Sequence, residues 1–123
     1  VRQQIGAIGD SYRTITSLEP GDHLCCLFET EEERRAVLTP FLRQGLERGE
    51  KVVYIVDTLT AQDVLGYLQD EGLEVDPYLA RGQLLIPTTA ETYMREGVFD
   101  PEGIIALLRA ETGRPLADGY PAL

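Results

Sequence analysis

One short stretch, Gly21-Asp22-His23-Leu24-Cys25-Cys26-Leu27-Phe28-Glu29, carries the only histidine and both cysteines of this 123-residue chain. An imidazole beside a thiol can lower the thiol pKa, and the thiolate is the reactive and metal-binding form. Turn formers (Pro20, Gly21, Asp22) precede the stretch and a helix signal follows at Thr30, so it reads as a strand. A period of two sets His23, Cys25 and Leu27 on one face and Leu24, Cys26 and Phe28 on the other. His23 and Cys25 are therefore the first candidate pair, for ligand contact or for thiol chemistry. Plainer roles compete with both: a buried Cys is most often a small core residue, and a histidine at a strand start can simply serve a backbone carbonyl. A metal site is weaker. Closed zinc sites want about four ligands, and cysteines facing opposite ways leave two at best.

Further candidates fall where later strands end, because ligands of open α/β sheets settle beyond the strand carboxyl ends. Asp57 follows one such strand, and Thr88, Thr89, Glu91 and Tyr93 follow the next. Glu29 and Asp57 could act as bases, although carboxylates at these places are commonly helix caps or solvated. A tyrosine in a long connection can equally cover the core. A phosphate-binding version of the first strand–helix turn would need glycines, a Lys and a Ser or Thr. The chain has Glu29-Thr30-Glu31-Glu32-Glu33 there, which opposes a triphosphate and excludes phosphate hydrolysis through that loop.

The elements that must position these residues are well punctuated. Thr30 caps a helix with Glu33 at its third position, an apolar stripe at Val37, Leu38, Phe41, Leu42 and Leu46, a bend expected at Pro40 and a stop at Gly49. Val52-Val53-Tyr54-Ile55-Val56 is an unbroken apolar run, the mark of a strand buried on both faces in a parallel sheet. Thr60 and Asp63 open a second helix carrying Ala61, Val64, Leu65 and Leu68, ended by Gly72. Gln83-Leu84-Leu85-Ile86 is a third strand stopped by Pro87. Asp100-Pro101 starts a third helix whose buried side is expected at Ile104, Ile105, Leu107 and Leu108. The alternation predicts α/β architecture: a three-layer sandwich around a mostly parallel sheet, with Val52–Val56 central and the 23–28 strand beside it. Residues 1–17 read as a lead-in segment or linker helix with sparse apolar positions (Ile5, Ile8, Ile15), and 18–123 as one domain. A last helix without a closing strand reads as the front part of a longer domain, truncated at its C-terminal side.

Composition narrows the function classes. The net charge of −10, from 21 acidic against 11 basic residues, repels phosphate backbones and argues against nucleic-acid binding. No apolar run approaches a membrane span and no signal-peptide pattern opens the chain. Adjacent cysteines in an extended strand make poor disulfide partners, so unpaired thiols and a cytoplasmic setting are expected.

The run Glu19-Pro20-Gly21-Asp22-His23-Leu24-Cys25, the helix end Phe41-Leu42-Arg43-Gln44-Gly45-Leu46-Glu47-Arg48-Gly49-Glu50-Lys51 and the strand Val52–Val56 resemble the MEDS family of sensory domains, found in methanogens, methylotrophs and a dichloromethane-responsive regulator. Tyr78-Leu79, Gly82-Gln83-Leu84, Glu91-Thr92-Tyr93 and Gly97-Val98-Phe99-Asp100 extend the likeness over residues 18–123. The resemblance implies a fold similar to RecA and the circadian-clock ATPases without their phosphate loop. It also implies a non-catalytic input domain, coupled to a histidine kinase (as in two-component systems) or to a DNA-binding output, and maps the family's His-x-Cys motif onto His23 and Cys25. The expected ligand is small, apolar or related to one-carbon compounds, contacting His23, Cys25, Asp57, Thr88, Thr89 and Tyr93. No cofactor or metal is implied; a homodimer is compatible. The alternative is a thiol-based redox or electrophile sensor, or a thiol enzyme, using Cys25 with His23. Against it, no second base, orienting acid or oxyanion-type glycine loop accompanies the thiol.

Overall fold

The computed structural model describes residues 15–123. The lead-in read at 1–17, with Ile5 and Ile8, lies outside the described residues except for Ile15, Thr16 and Ser17. The fold is α/β. Helix α1 (Glu31–Glu47) starts where the sequence asks it to: the Thr30 hydroxyl accepts the Glu33 N–H at 3.2 Å, and the Glu33 carboxylate accepts the Glu29 N–H at 2.9 Å. Three glutamates in the first turn suit the positive end of the helix dipole. Pro40 leaves the helix unbroken to Glu47. Strand β1 (Val52–Val53) follows, then helix α2 (Ala61–Asp70), short helix α3 (Asp76–Ala80) and strand β2 (Leu84–Leu85).

β1 and β2 pair in parallel, Val52 opposite Leu84 and Val53 opposite Leu85, and a further bridge joins Val56 to Thr88. The amides of Val52, Tyr54 and Val56 donate to Gln83, Leu85 and Pro87 carbonyls at 2.8, 3.0 and 2.9 Å. Helix α4 (Thr89–Thr92), the antiparallel hairpin β3 (Met94–Arg95) and β4 (Val98–Phe99), and helix α5 (Pro101–Ala117) complete the chain. The hairpin turn is Glu96-Gly97 with φ of 52° and 76°, both on the left-handed side that matches the twist of the flanking strands.

The core is built from α1 (Leu42, Leu46), α2 (Val64, Leu68), the parallel pair (Val52, Val56, Leu84) and Val75. Burial of each such side chain stabilises the fold by roughly 1.5–3 kcal/mol. Gly45 lets α1 approach β1: a Cβ there would lie 2.9 Å from Val52 Cγ2. Among the described residues, no helix is long and apolar enough to cross a membrane.

Two expectations are corrected. Residues 23–28 form no strand, so Val52–Val56 has a ladder with β2 alone and is not central among the described residues. The segment contributes side chains to a cavity shared with β1 rather than backbone to its ladder. The other edge of β1 meets the chain's last residues instead, where the Lys51 N–H donates to the Ala122 carbonyl at 2.9 Å. The second correction concerns α5, whose apolar residues are not buried against a sheet: Ile105 and Leu108 are exposed, and Ile104 and Leu107 only half-buried. Part of that face, Leu107 and Leu108, is a cavity wall.

Candidate functional site

The cavity follows from how the segment before α1 is held. Arg48, just past the end of α1, donates to the Leu18 and Thr16 carbonyls, both at 3.3 Å, and Gln44 Nε2 donates to the Thr16 carbonyl at 3.0 Å. Ile15 is buried by this arrangement. The chain then turns at Pro20-Gly21, where Gly21 has a φ of 95° and the Asp22 carboxylate accepts the Glu19 N–H at 2.9 Å. Beyond the turn, residues 23–28 form no ladder with β1 but share a cavity lining with it. Between this segment, α1, β1 and α5 lies a cleft of about 800 Å³.

Exposure along the segment alternates as a period of two demands, with Leu24 and Cys26 half-buried and His23, Cys25 and Leu27 exposed. Leu24, Cys26 and Phe28 face the cleft, opposite Leu38 and Phe41 of α1 and Leu108 of α5. His23 also reaches the lining, whereas Cys25 lies outside it. Burial, and then the neighbouring Cys25, push the Cys26 thiol above its ordinary value, which keeps it in the less nucleophilic protonated form. Both cysteines are free. Tyr54, also on the lining, has its phenol raised, chiefly by burial.

The remaining sequence candidates sit elsewhere. Asp57, Thr89 and Tyr93 come together around a second hollow of about 750 Å³ beside the β3–β4 hairpin. Thr88 is not on its lining: its hydroxyl accepts the Glu91 N–H at 3.2 Å, and the Glu91 carboxylate returns the contact to the Thr88 N–H at 2.9 Å. Thr88 and Glu91 are thus a capping box for α4. Tyr93 stacks edge-on against Phe99 with ring centroids 5.9 Å apart. A third hollow, outside α1, is walled by charged side chains already engaged with each other, such as Arg43 and Glu47 at 2.7 Å. Among the described residues, no group of three His, Cys, Asp or Glu side chains could hold a metal ion.

Residues 22–123 match the family MEDS, the MEthanogen/methylotroph, DcmR Sensory domain. The chain belongs to the MEDS family. Its role is accordingly that of a sensory domain, and the cleft is a hollow on which Phe28, Phe41, Leu108 and Leu123 of this MEDS domain expose apolar surface. No curated protein and no solved structure matches the chain.

Two cleft residues of this MEDS domain escaped the sequence reading. Lys51 is 5% exposed, though Lys is rarely buried without a partner. Its ammonium lies 3.5 Å from Glu111 Oε2 on α5. The signal for Glu111 was present: Ile104, Leu107, Leu108 and Glu111 share one helical stripe by spacing. Lys51 had only its place at the head of the β1 run to mark it.

Proposed function

We propose that this MEDS domain is the non-catalytic input module of a signalling protein and takes a small, mainly apolar molecule into the cleft between residues 18–28, α1, β1 and α5. The observation that carries this is a cavity with a mainly apolar wall on which several large side chains remain accessible. Phe28, Phe41 and Leu108 are 37%, 47% and 56% exposed while lining it. Apolar surface gathered in a concave site of this size is the usual form of a small-molecule site. A one-carbon-related compound fits the reading on the family's description, and the output is a separate histidine kinase or DNA-binding domain. We infer the RecA-like three-layer sandwich, without a phosphate loop, as the architecture of the whole domain, and a cytoplasmic setting for it. His23 belongs to the ligand contacts on this reading. Asp57, Thr89 and Tyr93 would serve a second contact region with Thr88 at its edge, and Cys25 would stand at the rim. The thiol-sensor alternative, which uses Cys25 with His23, draws less support, since His23 is on the cleft lining and Cys25 is not.

The test uses Nile red, a neutral apolar dye. Wild-type protein should enhance its fluorescence saturably. Leu24→Trp, which fills the cleft, should abolish the effect, and Leu116→Trp, on an exposed part of α5 outside the lining, should not. No saturable binding, or binding indifferent to Leu24→Trp, overturns the proposal.

A further inference from the structure

The cleft is apolar along most of its wall but, among the described residues, holds a nearly buried ion pair. The side chain of Lys51 is 6% exposed and that of Glu111 13%. Their 3.5 Å separation satisfies Coulomb attraction but exceeds the 2.7–2.9 Å or so of a good charge-assisted hydrogen bond. Glu111 Oε2 is buried and makes no hydrogen bond among the described residues. The other carboxylate oxygen is 3.7 Å from Arg114, a side chain turned largely to solvent. The pair therefore presents a buried acceptor with unused capacity beside an ammonium with donors to spare.

Resting on the cleft reading above, we infer that Lys51 and Glu111 are the polar anchor of the ligand site, and that the ligand is a neutral amphipathic molecule with a hydroxyl group on an apolar body. The hydroxyl oxygen accepts from Lys51 Nζ, and its proton is donated to Glu111 Oε2. One group thereby fills both needs. A carboxylate would gain from Lys51 but be repelled by Glu111, and an ammonium would meet the reverse. The cleft adds no net pull on anions, because Glu19, Asp22 and Glu50 outnumber Arg34 and Arg48 on its lining. The apolar body would lie against Leu38, Phe41 and Leu108.

The experiment competes three probes of equal chain length, 1-octanol, octanoate and octylammonium, against Nile red on the intact chain. Octanol should displace the dye with an affinity at least about tenfold above the other two. In Glu111→Gln the ammonium of Lys51 loses its counter-charge, so the preference should pass to octanoate, an inversion that a merely structural ion pair would not produce. The wild-type ranking stands as a test even if that variant folds poorly. Dye binding with equal displacement by all three probes, or by none, overturns the anchor and leaves the cleft. Absence of dye binding overturns the cleft reading and the anchor together. A wild-type preference for octanoate or octylammonium overturns the neutral-ligand assignment.

Discussion

Gln83 shows how much a single polar side chain can organise. It is buried, and its amide nitrogen donates to the Leu46 carbonyl at 3.0 Å and the Glu50 carbonyl at 2.9 Å, while its oxygen accepts from Arg81 Nε at 2.8 Å. The start of β2 is thereby fastened to the end of α1 across 37 positions of sequence. Gln83→Leu keeps the bulk and removes these bonds, and should lower stability by about 1–3 kcal/mol. Urea denaturation would show it; an unchanged midpoint would mean that the bonds contribute nothing net. In the sequence Gln83 reads only as the polar first residue of a strand, since its partners lie far away along the chain. The His23–Cys25 stretch was legible in the opposite sense. Its period of two was readable, but which face meets the cavity depends on where β1 and α5 stand, and the cleft is lined by Cys26 rather than Cys25.

At the scale of elements, helix boundaries were the most legible part, because caps are local chemistry. Thr30 and Thr60, legible as N-caps, have hydroxyls that accept the amide three residues on. Thr88, read instead as a ligand contact, does the same for a helix the sequence did not announce. The α2 cap has a pH signature. The Asp63 carboxylate accepts the Thr60 N–H at 2.8 Å and its hydroxyl at 2.9 Å, and these bonds hold its pKa below the ordinary 3.8. A lowered folded-state pKa gives stability that is present above the unfolded value and lost as pH falls through the folded one. Melting temperatures followed downward from pH 5 should therefore fall less steeply in Asp63→Asn than in wild type. Parallel curves would remove Asp63 from the account. Gly45 and Gly66 form a natural pair, both interior to helices. Alanine favours a helix by about 1 kcal/mol over glycine, so Gly66→Ala, with nothing within 4 Å of its new methyl, should stabilise by up to that amount. Gly45→Ala places its methyl against Val52 Cγ2, on a stiff, buried, β-branched side chain, and should be net destabilising. Equal gains from both would show that α1 and β1 can separate freely. Strand pairing was harder to read than helices, because an apolar run such as 52–56 says that a strand is covered but not by what.

For the molecule as a whole, the acidic start of α1 decides which chemistry the fold can host. Glu31, Glu32 and Glu33 crowd the N-terminal end of α1, and a helix end that cradles phosphate needs free amides and no such negative charge. Calorimetric titration with magnesium ATP should give no binding heat, and micromolar affinity would refute this. The α/β class was legible from ordered punctuation and the family from resemblance of motifs such as those at 19–25 and 41–51, whereas the cleft was not legible, since it is assembled from segments distant in sequence. Its position beside β1 has a consequence for exchange with solvent. Successive residues of a strand send their amides to opposite edges. Val52, Tyr54 and Val56 donate to β2, so their hydrogens leave only when the paired strands separate. Val53 and Ile55 send theirs to the other edge, the one that Lys51 and Ala122 share and that borders the cleft. One strand thus carries two interleaved probes. Deuterium uptake at its even positions reports how readily the paired strands open, while uptake at its odd positions reports how accessible the edge beside the cleft is to solvent.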